Sequence, residues 1–135
     1  VLAAMVLGAE GGQIGTRFAL TEESSASPVF KDYCLSLGEG DTKLLLKKLA
    51  PTRLVKNAFR EAVEKAEDSG ASAEDLRTLL GRGRAKKGIF EGDLEEGELE
   101  IGQVSAIISR RQSVAEVMNE LVAAYQRAAK KDYLF

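Results

Sequence analysis

The residues best suited to chemistry in this chain lie near its start, in Gly11-Gly12-Gln13-Ile14-Gly15-Thr16-Arg17. Where a chain carries no side chains at the end of a strand, its backbone N–H groups can cradle a phosphate, and a following hydroxyl adds one more donor. Gly15-Thr16 supplies that combination. The same glycines also suit a strand-end turn that needs positive φ, and the local sequence leaves the two readings open.

Other groups carry weaker signals. Arg53 and Asn57 stand at i and i+4, which would put them on one helical face, either as a site or as an exposed polar face. Gly81-Arg82-Gly83-Arg84-Ala85-Lys86-Lys87 is basic but lacks the interleaved aromatics of a nucleic-acid surface, so a solvated helix start is expected there. The acidic run Asp93 to Glu98 does not have the spacing of a Ca²⁺ loop and reads as a solvated loop. Cys34 sits on an apolar helical face, as a core residue does.

What is missing limits the chemistry. The 135 residues contain no histidine, so neither a histidine base nor a serine–histidine triad can be built from them, and with one cysteine no zinc site is expected. Twenty-one acidic residues against 19 basic give a net charge of −2, which offers no electrostatic footprint for nucleic acid or an anionic membrane. One cysteine cannot form an internal disulfide, and no apolar run approaches the length of a span, so a cytoplasmic setting is expected. The length suits one domain with a real core. The opening Val1-Leu2-Ala3-Ala4-Met5-Val6-Leu7 lacks an initiator Met or any polar lead-in, and a fragment beginning inside a buried helix is expected.

The elements that must position these residues follow from periodicity and punctuation. Val1 to Leu7 is apolar all round, a helix stopped by Gly8, and Gly11 to Thr16 reads as a short buried strand. Ser27-Pro28 opens a helix that carries Val29, Phe30, Tyr33, Cys34 and Leu37. Thr42 to Leu49 fits strand or helix equally. From Thr52 the set Leu54, Val55, Ala58, Phe59, Ala62, Val63 and Ala66 predicts an amphipathic helix to about Glu67. Ser72 to Asp75 resembles a capping box for a helix through Leu80, a short helix is expected over 84–90, and Glu91 to Glu100 reads as an exposed loop. A helix entered through Gly102 follows, and then a last one with Ser113 and Glu116 as capping box and Arg127, Lys130 and Lys131 at its basic end.

The run "VLGAEGGQIGTRFALTEESSASPVFKD" resembles the last-strand segment of the nitronate monooxygenase and enoyl-ACP reductase II family of FMN-dependent (β/α)8 enzymes, with its GTRF core and a following helix carrying Phe30-Lys31. "PTRLVKNAF" resembles the family's R-x-x-x-N helix, and "GRAKKGIFEGDLEEGELEIGQVSAIIS" its G-D-x-x-x-G and GQ segment. These matches keep family order and cover nearly the whole chain. The resemblance implies an α/β fold: the C-terminal fragment of an FMN-binding (β/α)8 TIM barrel, itself mostly α-helical with one or two short strands. Residues 1–26 would be the end of the barrel, comprising the last part of helix 7, strand 8 and its loop; residues 27–135 would be the final barrel helix and a helical C-terminal extension.

The resemblance also implies site residues and partners. Gly15 and Thr16 match the position whose donors hold the flavin phosphate, and the other half of that grip would lie upstream of Val1. Gln13 suits a flavin ring edge or pyrimidine, or else a hydrogen bond within the barrel. Gln103 matches the family's GQ position near the cofactor cavity, or else caps its own helix. The expected catalytic histidine lies outside this chain. FMN is the implied cofactor. The implied partners are the remainder of the barrel, a small-molecule or acyl-thioester substrate and, at most, a second copy in a homodimer, with no nucleic acid and no membrane. Two activities share the pattern, oxidation of alkyl nitronates and NAD(P)H-dependent reduction of an enoyl thioester. A helical interaction module without cofactor is the reading of a different class.

Overall fold

A computed structural model describes residues 1–130, so Lys131 lies outside the described residues. The elements in chain order are α1 (Leu2–Val6), α2 (Thr16–Ala19), α3 (Pro28–Leu35), β1 (Thr42–Leu45), β2 (Thr52–Val55), α4 (Ala58–Asp68), α5 (Ala73–Leu80), a π-helical turn (Lys86–Phe90), a 3-10 turn (Gln103–Ile107) and α6 (Val114–Ala129). Helix starts fall where side-chain caps are available. Ser27, Asn57, Ser72 and Ser113 each accept the N–H three residues on, and Ser72–Asp75 and Ser113–Glu116 close full capping boxes.

Two expectations about regular structure are corrected. Gly11 to Thr16 is not a strand; residues 11–15 make no ladder among the described residues, and Thr16 already begins a helical turn. A strand needs a neighbour for its N–H and C=O groups, and the two strands present pair with each other elsewhere. The helix expected from Thr52 starts only at Ala58. Thr52–Val55 is instead a strand antiparallel to β1, with Thr42 opposite Val55 and Leu45 opposite Thr52. Arg53 and Asn57 therefore do not share a helical face: Arg53 is on β2 and Asn57 is the cap of α4.

The strand forms because a third extended segment completes it. Val55 N–H donates to Leu99 C=O at 3.0 Å, and Leu54 bridges Glu100. Successive residues of a strand face opposite ways, and both Leu54 and Val55 are buried. Leu54 packs with Leu45, Leu46, Phe59, Val63 and Leu76, whereas Val55 packs with Phe30, Cys34, Leu99, Ile101 and Ile108. β2 is thus the wall shared by two apolar clusters, and the period-3.6 appearance of its sequence came from a strand covered on both faces.

The segment read as an exposed acidic loop is half wrong for the same reason. Gly97, Glu98 and Leu99 are buried, since they feed this third extended run; Glu91 to Glu96 stays at or near the surface. α1 forms as expected, but Val6 and Leu7 remain 78% and 89% exposed, so among the described residues it is not packed between layers. Cys34 is a core residue, and burial pushes its thiol up to about 12. Alkylating reagents are expected to leave it unlabelled in the native protein and to label it once denatured, which a mass-spectrometric time course checks.

Candidate functional site

The glycine-rich segment ends in the four-residue turn α2, preceded by Gly15 at φ −88° and ψ −72°. That conformation is open to any residue. An added Cβ at Gly11, Gly12 or Gly15 would meet nothing within 4 Å, and none of the three has positive φ. Neither backbone nor packing among the described residues therefore requires glycine here. The turn that needs positive φ is thereby excluded at Gly15, where the backbone is open to the close approach of another group.

The polar groups around it are arranged as donors. Gly15 C=O accepts from Phe18 and Ala19, which closes the turn, while the N–H groups of Gly15, Thr16 and Arg17 donate to no other described residue. Thr16 Oγ1 accepts from Gly102 N–H at 3.0 Å and donates to no described residue. This bond explains the second glycine. A Cβ at Gly102 would stand 2.5 Å from Thr16 Oγ1, so the turn and the start of the 3-10 segment approach backbone to side chain only because residue 102 has none. Unpaired N–H groups with an adjacent hydroxyl are chemically suited to an oxyanion such as a phosphate.

Of the residues singled out from sequence, the structure joins Thr16 to the Gly102-Gln103 corner and places Gly15 beside it. Gln13 and Gln103 are both exposed, and neither side chain is hydrogen-bonded to a described residue. Asn57 is accounted for structurally, because its Nδ2 donates to Leu94 C=O and Gly97 C=O while its Oδ1 caps α4. Arg53 lines a cleft of about 420 Å³ together with Thr16, Thr52, Glu100 and Gly102, and donates to Thr42 Oγ1 at 3.2 Å.

Three charged residues that hold this corner had no role of their own in the sequence reading, where Arg17, Glu23 and Lys31 entered only as members of the quoted runs. Arg17 reaches from the turn to Gln112 and to Glu120 on α6. Glu23 accepts from Val114 N–H with both carboxylate oxygens, at 3.0 and 2.9 Å, which fastens the following loop to the start of α6. Lys31 is 3% exposed, and its ammonium donates to the carbonyls of Glu22 and Ser24 at 3.2 and 2.7 Å. Burial lowers its pKa, with the nearby Arg111 guanidinium adding to the effect. Arg17 and Lys31 stood in family-like motifs, but their partners lie in tertiary structure that the motifs do not reveal, and Glu23 had no signal beyond a charge beside an apolar run.

Next to the turn an apolar groove of about 530 Å³ runs between Ile14 and Phe18 on one side and Met118, Leu121, Val122 and Tyr125 of α6 on the other. Met118 and Val122 are 46% and 48% exposed, a contiguous apolar face of the kind that another surface covers. No helix among the described residues is long and apolar enough to cross a membrane.

A family model described as nitronate monooxygenase matches residues 1–124. A probable nitronate monooxygenase of Bacillus subtilis (strain 168) is 33% identical over 122 residues, covering 90% of this chain and 35% of that protein. One from Staphylococcus aureus (strain Newman) is 41% identical over 70 residues, covering 50% of this chain and 19% of its own length. Among solved structures, FabK from Thermotoga maritima superposes with a TM-score of 0.84 at 28% identity, over 96% of this chain and 41% of that one. Nitroalkane oxidase from Streptomyces ansochromogenes gives 0.72 at 26% identity, over 96% and 36%. The chain spans about a third of the length of the Bacillus subtilis relative.

Proposed function

This chain belongs to the nitronate monooxygenase family, and we propose from that premise that it supplies part of the phosphate site of an FMN-dependent oxidoreductase acting on alkyl nitronates. The observation that carries the reading is Gly15: a glycine that neither its φ of −88° nor its neighbours demand, standing between unpaired N–H groups in the family-like GTRF run. In this reading the N–H groups of Gly15 and Thr16 and the Thr16 hydroxyl hold phosphate oxygens. Gly102 lets the hydroxyl be gripped from behind, and Gln13 and Gln103, with free amides, face the rest of the cofactor.

FMN, when bound, supplies the redox chemistry. The residues of this chain bind and orient it; none of them is a histidine that could move a proton beside it. The proposal further takes residues 1–26 as the end of a (β/α)8 barrel. The remainder of that barrel would cover the apolar groove along α6 and the exposed Val6 and Leu7, and would give Gly11 to Gly15 the strand neighbours they lack here.

A second reading, an NAD(P)H-dependent enoyl-ACP reductase, is favoured by the structural likeness to FabK, at a TM-score of 0.84. The test is direct. The full-length protein that carries this chain is expected to purify with, or take up, flavin absorption in the visible range. Oxygen consumption with an alkyl nitronate supports the first activity, and NADH consumption with crotonyl thioester supports the second. A colourless protein that gains no flavin spectrum with added FMN would sink both and leave the cofactor-free helical module.

A further inference from the structure

The turn at Gly15–Thr16 is held from two sides, and the second side has no role in the reading so far. Thr16 ties it to Gly102. Arg17, the next residue, reaches different partners, donating to Gln112 Oε1 and pairing with Glu120 at 3.2 Å. Gln112 is 3% exposed, and its amide works in both directions, since Oε1 accepts from Arg17 and Nε2 donates to Glu120 Oε1 at 2.6 Å. Glu120 in turn accepts from Arg110 at 2.9 Å. The backbone repeats the connection, with Glu22 N–H donating to Gln112 C=O at 3.0 Å.

Such an arrangement is more than a surface ion pair. An exposed pair contributes little, because both side chains lose freedom and water screens the charges. Here a buried amide sits between the two charges, has its orientation fixed by both, and would be left with an unmet polar atom if either were removed. Residue 17 belongs to the same four-residue turn as Thr16, so anchoring its side chain also restrains the backbone that carries the unpaired Gly15, Thr16 and Arg17 N–H groups.

We propose that Arg17, Gln112 and Glu120 form a positioning relay that holds the backbone of the Gly15–Arg17 turn, and thereby couples helix α6 to the affinity of the turn for a phosphate-bearing cofactor. The proposal rests on the flavin reading above. None of the three side chains touches the phosphate itself. Gln112 and Glu120 act only through Arg17, across 95 and 103 residues of sequence.

The experiment is FMN titration of the full-length apoprotein, followed by quenching of flavin fluorescence, with thermal denaturation of the same samples. Arg17→Met and Gln112→Met are each expected to weaken FMN about tenfold. The double variant should be no weaker than about either single one, because both break one relay. Arg17→Lys, which keeps a charge for Glu120, should recover part of the loss. Val63→Ala, in the other apolar cluster, serves as the stability control. It should lower the melting temperature and leave FMN affinity within twofold.

Arg17→Met and Gln112→Met affinities within twofold of the parent would overturn the proposal. So would losses in all variants that merely track melting temperature, Val63→Ala included. A parent that binds no FMN would overturn the flavin reading and this proposal with it.

Discussion

Replacing Gly97 with alanine is expected to be among the most damaging single changes in the chain, destabilising it by about 3 kcal/mol or more. An ideal Cβ there would stand 2.2 Å from Gly88 Cα, 2.3 Å from Asp93 C=O and 2.7 Å from Gly88 N. All three are backbone atoms, so no rotamer change can make room. Gly88 answers in kind, with its own Cβ position 2.8 Å from Glu98 C=O and from Leu99 Cδ2. The two glycines let the π-helical turn lie directly on the extended run that pairs with β2.

That contact is locked from three sides. Asn57 Nδ2 holds Gly97 C=O at 2.8 Å, Gly97 N–H donates to Asp93 C=O at 3.2 Å, and Glu98 N–H donates to Arg84 C=O at 3.1 Å. Arg84 is itself bound to the C=O groups of Leu79 and Leu80 at the end of α5, and stacks over Phe59 at 4.4 Å. Pushing residue 97 outward therefore strains both apolar clusters at once. The urea midpoint of Gly97→Ala should fall sharply while that of Gly81→Ala, where added bulk meets open space and only a positive φ is strained, falls much less. Equal midpoints for Gly97→Ala and the parent would show that the backbone contact is not as tight as described.

A second large effect should appear in the pH dependence of stability. Glu98 is 7% exposed, and burial, reinforced by Glu100 two residues on, pushes its carboxyl up to about 7 against the pull of Arg84. A carboxyl with a folded pKa above its ordinary 4.5 binds its proton more tightly in the folded state. The resulting contribution is complete below about 4.5, declines as pH rises from there, and is gone above about 7. Glu98→Gln, neutral throughout, should match the parent near the acid end of this window. Near pH 8 it should be the more stable, by up to about 3 kcal/mol.

Asp93 works in the opposite sense without blurring that window. The N–H of Glu96, then Lys87 and the N–H of Glu95, hold its carboxyl down at about 2. Its contribution is present above the ordinary 3.8 and is lost only as pH falls through about 2. A parent and a Glu98→Gln variant with the same stability slope between pH 4.5 and 7 would contradict the burial assigned to Glu98.

How much of this was legible in the sequence depends on which force decided each residue. Helices with a side-chain cap and one apolar face were readable: Ser27-Pro28, the Ser72 box and the Ser113 box all start where local chemistry put them. β2 was not, because Leu54 and Val55 face two different clusters, and a strand buried on both sides has no alternation to detect. The role of Asn57 followed from the same misreading, since only after β2 ends does it become a cap.

The candidate site was half legible. Gly15 and Thr16 could be picked out because glycine next to a hydroxyl is a local pattern. Gly102 could be quoted as part of a motif, but its reason, contact with a hydroxyl 86 residues earlier, lies in tertiary structure. Arg17, Glu23 and Lys31 act through partners such as Gln112, Val114 N–H and the Ser24 carbonyl, which no spacing reveals.

The central claim, that the Gly15–Thr16 turn grips a cofactor phosphate, is tested most directly by Gly15→Val in the full-length protein. The substitution has open space around its Cβ and a φ of −88° that valine accepts, so folding should be spared. Melting temperature within a degree or two of the parent, together with FMN affinity reduced tenfold or more in a fluorescence titration, is the result this account predicts. Parent-like FMN affinity in a folded Gly15→Val protein would contradict it.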